Sequence, residues 1–362
     1  MEFIDLKAQY ENIKSKVLLQ IEEVLDSGQY IMGNKVKVLE DKLAKYTGSK
    51  YCIGVADGTK ALLIALMALD IKPSDEIIVP AFTFVATASM VKLLGAIPVF
   101  ADIDADSYNL DAKKIESLIT NKTKAIITVG LFGQCSDMDA INQIADKYQL
   151  HVIEDAAQSF GATYKNKKST NLATIGCTSF FPSKPLGCYG DGGACFTNDK
   201  SLAVKMSQIR VHGQDQRYYH AILGVNGRLD TLQAAILLTK LEIFPEEVIK
   251  RNEIGKRYTS LLSGAKCITP KVMEYNTHVY AQYSILVENR NKFVEKMNLA
   301  GIPTSIHYPI PLHKQPILSK YYKNQDLNVS EEVASKIVSL PMHPYLDIEQ
   351  QDFIVDAVIK SL

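Results

Sequence analysis

The sequence predicts an α/β chain, with a large, mostly parallel seven-stranded sheet covered by helices and a smaller α+β domain behind it. Three observations predict this. Between positions 50 and 197, short β-branched runs alternate with longer stretches of helical periodicity, the pattern of βαβ units. After Thr197 the alternation gives way to a long helical segment from Leu229 to about Leu262. Beyond that segment, strands and helices are mixed. The division that follows is 1–228 for a large domain with its N-terminal segment, 229–262 for a connecting helix and 263–362 for a small domain. A chain of 362 residues, 47% of them hydrophobic, is long enough for two cores.

The strands are expected at Tyr51–Val55, Glu76–Val79, Ile97–Ala101, Lys124–Val129, Val152–Glu154, Cys177–Phe181 and Gly193–Thr197. Most of the gaps between them leave room for crossover helices. In the first of these helices, Leu62, Leu66 and Leu69 follow i, i+4, i+7 spacing and form a face to lay on the sheet. A further helix ends near Arg210, and an irregular stretch runs to Arg228. In the long segment, Glu246, Glu247, Lys250 and Arg251 suggest an exposed face carrying i,i+4 pairs. The small domain is expected to hold strands at Tyr280–Val287 and Thr304–Tyr308, a helix near Asn291–Leu299 and a terminal helix from Ile348.

Composition excludes several classes of function. Forty Lys and Arg balance forty Asp and Glu, so the clustered positive charge that holds a nucleic acid is missing. The longest apolar stretch, Ala61 to Leu69, is about half of the roughly 18 to 20 residues that span a membrane. The N-terminal residues carry no apolar run of signal-peptide length, which leads to the expectation of a cytoplasmic protein. No pair among Cys52, Cys135, Cys177, Cys188, Cys195 and Cys267 has C-x-x-C spacing, so reduced thiols and no metal are expected. Motifs of P-loop ATPases, zincins, serine hydrolases and simple dinucleotide binders are absent.

What remains is a set of polar residues at the carboxyl ends of expected strands, where open α/β sheets bind ligands. Ala56-Asp57-Gly58-Thr59 lies between a strand and a helix and offers backbone N–H groups to a phosphate, although Asp57 or Thr59 equally suits a helix cap. Glu154-Asp155 ends an apolar strand, and a carboxylate buried there needs a cationic partner, such as a protonated ring nitrogen. Lys184 stands between Ser183 and Pro185, ahead of Gly187, Gly190, Gly192 and Gly193. That constrained, glycine-rich setting suits a Schiff-base lysine better than a solvated surface charge.

A phosphate-binding turn, a carboxylate and a lysine about thirty residues later are the parts needed to hold pyridoxal 5'-phosphate. The run Ser179-Phe180-Phe181-Pro182-Ser183-Lys184-Pro185-Leu186-Gly187, with Gln158-Ser159-Phe160-Gly161-Ala162 and Val211-His212-Gly213-Gln214-Asp215, resembles the DegT/DnrJ/EryC1/StrS family of sugar aminotransferases. The likeness runs from Phe3-Ile4-Asp5-Leu6 to Leu340-Pro341-Met342-His343-Pro344 and implies the type I aminotransferase fold. It further implies amination of the 3-keto group of a UDP-linked sugar, UDP-2-acetamido-2-deoxy-3-oxo-glucuronate, for bacterial O-antigen or lipopolysaccharide. Glutamate is the implied amino donor.

The same resemblance implies a role for each site residue. Lys184 binds the cofactor and acts as base, Asp155 pairs with the pyridinium nitrogen, Gln158 lies by the ring and Phe84 stacks on its other face. Gly58, Thr59 and Ser179 form the phosphate cradle, and Asn226 is donated by the partner subunit of a homodimer. Arg228, His307 and Tyr308 line the sugar-nucleotide pocket, with His313 a weaker candidate. Phe84 also suits a core position, and His307 an ordinary hydrogen-bonded one. The position of Asp57 is commonly serine in the family. Two other readings of the same fold are a sugar dehydratase, which carries histidine in place of the lysine, and a non-catalytic regulator, which loses the lysine or the carboxylate.

Overall fold

A computed structural model describes residues 1–323 and 325–362. Its large sheet contains β1 (Tyr51–Val55), β2 (Glu76–Pro80), β3 (Ile97–Ala101), β4 (Thr123–Val129), β5 (His151–Asp155), β6 (Ile175–Ser179) and β7 (Gly193–Thr197). Their order is β1-β7-β6-β5-β4-β2-β3, and only β7 runs against its neighbours. All seven expected strands are present. Strand β6 sits two residues earlier than its apolar run suggested, because it pairs with β5 from Ile153↔Ile175 to Asp155↔Cys177.

Alternation along each strand explains why both faces are covered. Ile77, Val79, Ile127 and Ile153 join one cluster with helix α3 (Gly58–Ala68), α4 (Ala86–Leu93) and α6 (Lys200–Ile209). Their neighbours Ile78, Ile126 and Val152 face the other way, onto α5 (Met138–Tyr148). Helix α3 is buried around most of its circumference, not on a single Leu62/Leu66 stripe, because the sheet, α4 and α6 enclose it.

Two helices that the strand pattern did not signal, α1 (Leu6–Ser27) and α2 (Asn34–Thr47), pack on the long helix α7 (Thr231–Leu261). The first half of α7 supplies Leu237 and Phe244 to the core beside β7, and its end supplies Tyr258 to a second core. Its charged face differs from expectation. Glu246 and Lys250 are exposed, whereas Glu247 and Arg251 are buried. Glu247 accepts hydrogen bonds from Gln9 Nε2 at 2.9 Å and from the Tyr345 hydroxyl at 2.7 Å, partners that come from outside the helix. The irregular stretch before α7 contains a short hairpin, Gln214–Gln216 with Tyr219–His220.

The second core is built on β8 (Tyr283–Leu286) and β9 (Ile337–Leu340), with α8 (Arg290–Leu299) and α10 (Ile348–Ser361). Strand β8 begins after Tyr280, whose φ of 44° breaks the extended run. The expected strand at Thr304–Tyr308 is absent, because its pairing with the outer edge of β9 is limited to the single bridge Ser305↔Ser339. The C-terminal residues also reach back to the large sheet. Leu312, Leu318 and Leu327 enter its core. Asp102, just past β3, accepts from the backbone N–H of Val329 (3.0 Å) and of Ser330 (2.9 Å). It thereby caps α9 (Asn328–Lys336), which has no cap of its own. Among the described residues no helix is long and apolar enough to cross a membrane, and no group of His, Cys, Asp or Glu is arranged to hold a metal ion.

Adjacent acids on β5 face opposite ways. Glu154 accepts from Ser169 Oγ at 2.7 Å and from Thr170 N–H at 2.8 Å, and burial lifts its pKa from 4.5 to about 7. A carboxyl raised in the folded state stabilises fully below its unfolded value, and that contribution is lost as pH rises through about 7. Denaturant titrations at pH 5 and pH 8 should show the native chain losing up to about 3 kcal/mol more than Glu154→Gln over that interval. An equal loss in both would contradict the assignment.

Candidate active site

The site is assembled where β1, β5 and β6 end. Asp57 Oδ1 accepts from Lys60 N–H at 2.6 Å and caps α3, so the acid at this position serves the turn and not a ligand. The next two N–H groups, of Gly58 and Thr59, lie in the first helical turn, where no intrahelical acceptor exists. A Cβ on Gly58 would lie 2.6 Å from Ser179 Cβ, and one on Gly193 2.6 Å from the Asp57 backbone. Glycine at both positions lets the amino end of α3 close on Ser179, giving a cradle of backbone amides and a hydroxyl suited to an anion.

Asp155 ends β5 beside this cradle. Its Oδ1 accepts from Ala157 N–H at 3.1 Å and its Oδ2 from Thr87 Oγ1 at 3.2 Å. Burial pushes its pKa up, and the charge of Lys184 opposes that rise. Lys184 lies on the loop after β6, where its N–H donates to Phe181 O at 2.8 Å. The residue as a whole is half-buried, but its amine end is deep in the interior. Burial pushes the amine's pKa down, and Asp155 opposes that fall. Each group thus favours the charged form of the other without an ion pair between them.

The other wall is aromatic. Gln158 accepts from Phe132 N–H at 2.7 Å through Oε1 and donates through Nε2 to the Tyr308 hydroxyl at 3.1 Å. A backbone N–H can only donate, so this amide has one possible orientation. The Tyr308 ring lies 6.0 Å from that of Phe84 and 6.3 Å from that of Phe82. Phe84 is 52% exposed, so it is a rim residue and not a core aromatic. His307 sits next to this wall with both ring nitrogens engaged, Nδ1 with Ser339 Oγ at 3.1 Å and Nε2 with Ser305 Oγ at 3.4 Å. Burial, with the charge of Lys184, takes its pKa down to about 4, so it is neutral near pH 7.

The cleft that Arg228 lines does not include His307 or Tyr308. Arg228 shares this cleft of about 450 Å³ with Asn226, Ala56, Asp57 and Asp191. Its backbone bridges Val55, and its buried Nε has no partner among the described residues. Asn226 is exposed. His313 is buried against Phe100 and bonds Glu331 through Nε2 at 2.9 Å, a structural placement. Cys188 is buried, donates to Phe180 O at 3.0 Å and has its thiol pKa pushed up to about 11 by burial, so it is no nucleophile.

Sequence reasoning passed over Thr87 and the two serines that hold His307. Thr87 was findable, because it stands three residues after Phe84, in the first turn of the helix that follows it. Ser305 and Ser339 carried no signal, since only the fold brings them to one imidazole. The donor set as a whole fits a ligand with a phosphate, a carbonyl and a basic ring nitrogen. The amide cradle suits the first, the lysine the second and the carboxylate the third.

Comparison with known proteins agrees with this geometry. The sequence profile of the DegT/DnrJ/EryC1/StrS aminotransferase family matches residues 11–359. The UDP-2-acetamido-2-deoxy-3-oxo-D-glucuronate aminotransferase of Pseudomonas aeruginosa is 56% identical over 347 residues, 96% of each chain. A pleiotropic regulatory protein of Geobacillus stearothermophilus is 44% identical over 99% of this chain and 97% of its own. The structure of NtdA from Bacillus subtilis with bound cofactor PMP superposes with a TM-score of 0.91 at 33% identity, covering 97% of this chain and 82% of that one. The chain belongs to the DegT/DnrJ/EryC1/StrS aminotransferase family.

Proposed function

We propose, with that membership as premise, that this chain is a pyridoxal phosphate-dependent aminotransferase acting on the 3-keto group of UDP-2-acetamido-2-deoxy-3-oxo-glucuronate. Glutamate is the proposed donor, and O-antigen or lipopolysaccharide the proposed destination. The observation that carries the chemistry is Lys184 set opposite Asp155, both buried and each favouring the other's charge. The sugar is supported by the 56% identity to the Pseudomonas enzyme.

Lys184 would hold the cofactor covalently, and its amine, once released, would move a proton between the reacting carbons. Pyridoxal phosphate supplies, when bound, an electron sink for the carbon that loses its proton. Asp155 would keep the ring nitrogen protonated, with Gln158 and Phe84 on either side of the ring. Gly58, Thr59 and Ser179 would bind the phosphate, and Tyr308 would face the sugar. His307, with both nitrogens bonded to serines, would shape that wall and leave contact with the sugar to its neighbour. The regulatory name of the Geobacillus relative favours a second reading, a non-catalytic protein on this fold. Lys184 and Asp155 are both retained here, which supports the enzyme.

The proposal includes a homodimer with shared sites, working in the cytoplasm, and the division of each chain at 228 and 262. Arg228 and Asn226 share a cleft that Tyr308 does not line, and they would reach the sugar and the phosphate of the partner's site. Nearby, Tyr218 is 81% and Leu223 86% exposed, apolar surface that a second copy would cover. Mixing refolded Lys184→Ala and Asn226→Ala chains should give hybrids with one intact site, and therefore more activity than either parent. No gain after verified subunit exchange would count against sharing.

A guanidinium grips a carboxylate through two parallel hydrogen bonds, and Arg228 is the residue proposed to do so at C6 of the sugar. A 6-deoxy analogue would leave its donors unpaired, at about 1–3 kcal/mol each. Amination of a panel of 3-keto and 4-keto sugar nucleotides, read by mass spectrometry, should favour the UDP-linked 3-keto uronate by roughly tenfold to several hundredfold in kcat/KM. Arg228→Ala should collapse that ratio. Comparable rates for uronate and 6-deoxy sugar would sink the carboxylate reading, and no amination of any member would favour the regulator.

A further inference from the structure

We infer that Thr87 is a positioning residue for the reaction, holding Asp155 in the orientation and ionised form that a cofactor ring nitrogen requires. The inference rests on the role proposed above for Asp155. Thr87 is completely buried in the first turn of α4, and its hydroxyl donates to Asp155 Oδ2 at 3.2 Å. The other oxygen, Oδ1, takes the Ala157 N–H at 3.1 Å. Each carboxylate oxygen therefore has one protein donor, which fixes the plane of the group and leaves lone pairs for a ligand.

The need for the second donor follows from what surrounds the carboxylate. Asp155 is buried at the end of β5, next in sequence to Glu154, which points to the other face, and near the Cys177 thiol on β6 and the Tyr308 hydroxyl. None of these neighbours is a cation. Among the described residues Lys184 is the one positive group acting on Asp155, and it does so without an ion pair. Burial favours the neutral acid, and a neutral acid would not keep a ring nitrogen protonated. Donors aimed at the oxygens are then what keep the negative charge in place.

Phe84 lies just before this helix, and its C=O accepts from Thr87 N–H at 3.3 Å. Phe84 precedes the helix and is exposed, whereas Thr87 is buried in its first turn, so one short stretch of backbone sets both the aromatic rim of the site and the donor to the carboxylate. A displaced turn would disturb both together, which is why the test separates the hydroxyl from the backbone.

Thr87→Val has nearly the shape of threonine and removes only the donor, whereas Thr87→Ser restores it. The measurement is the pH midpoint at which the absorption spectrum of bound pyridoxal phosphate changes, together with the Kd for pyridoxal phosphate of the apoprotein and kcat. Thr87→Val should move the midpoint in the same direction as Asp155→Asn by a smaller amount, weaken cofactor binding and lower kcat roughly 10-fold to 100-fold. Thr87→Ser should lie within about 3-fold of the native protein on each readout. If Thr87→Val does not fold, Thr87→Ala carries the comparison. A shifted Asp155→Asn beside a Thr87→Val indistinguishable from native would overturn the inference. Failure of Thr87→Ser to recover the native midpoint would also overturn it, pointing to the turn and not the hydroxyl. An Asp155→Asn protein with native midpoint and kcat would instead bring down the role proposed for Asp155 itself.

Discussion

Burial pushes two opposite charges at the end of the sheet, Asp155 and Lys184, toward their neutral forms, and each opposes that push on the other. An isolated carboxylate or ammonium in such a place would surrender its charge. Several otherwise unconnected features become necessary once this constraint is set. Strands β5 and β6 must be neighbours, because one ends in the acid and the other leads into the lysine loop. Glycine is needed at positions 58 and 193, so that the amino end of α3 and Ser179 can share a corner with that pair. Helix α4 must begin where it does, so that Thr87 reaches Asp155.

The C-terminal part of the chain acts on the same constraint from outside. Its anchor is polar as well as apolar, with Asp102 capping α9 and Leu312, Leu318 and Leu327 buried against the sheet. This fixes the segment that carries His307 and Tyr308 over the acid and the lysine. His307, bonded to two serines and kept neutral by burial and by the charge of Lys184, adds no positive charge there. Tyr308 is tied to Gln158, three residues after Asp155. The wall that would meet a sugar and the floor that would meet a cofactor are therefore one hydrogen-bonded unit, contributed by residues 150 positions apart in sequence.

Legibility in the sequence followed the range of the interaction. The seven strands were readable because local alternation and β-branching determine them, and Asp155 and Lys184 stood out because one ends a strand and the other follows one in a glycine-rich loop. The amphipathic stretches that became α1 and α2 lie before the first strand, outside the βαβ rhythm used to find helices. Ile337–Leu340 became a strand because it pairs along its length with Tyr283–Leu286, whereas Thr304–Tyr308 meets the outer edge of Ile337–Leu340 only at Ser305. Glu247 and Arg251 read as surface charges, because Gln9 and Tyr345, two of the groups that enclose them, lie about a hundred or more positions away. The grouping of Arg228 with His307 and Tyr308 came from resemblance alone, and the single chain places Arg228 with Asn226 instead.

The central claim is that one lysine in this setting does covalent chemistry. Borohydride reduction of the protein loaded with pyridoxal phosphate, followed by proteolysis and mass spectrometry of the peptides, reads this directly. The account predicts a reduced pyridoxyl adduct on Lys184, lost in Lys184→Ala. An adduct on a different lysine, or none on a protein that still transaminates, would contradict it.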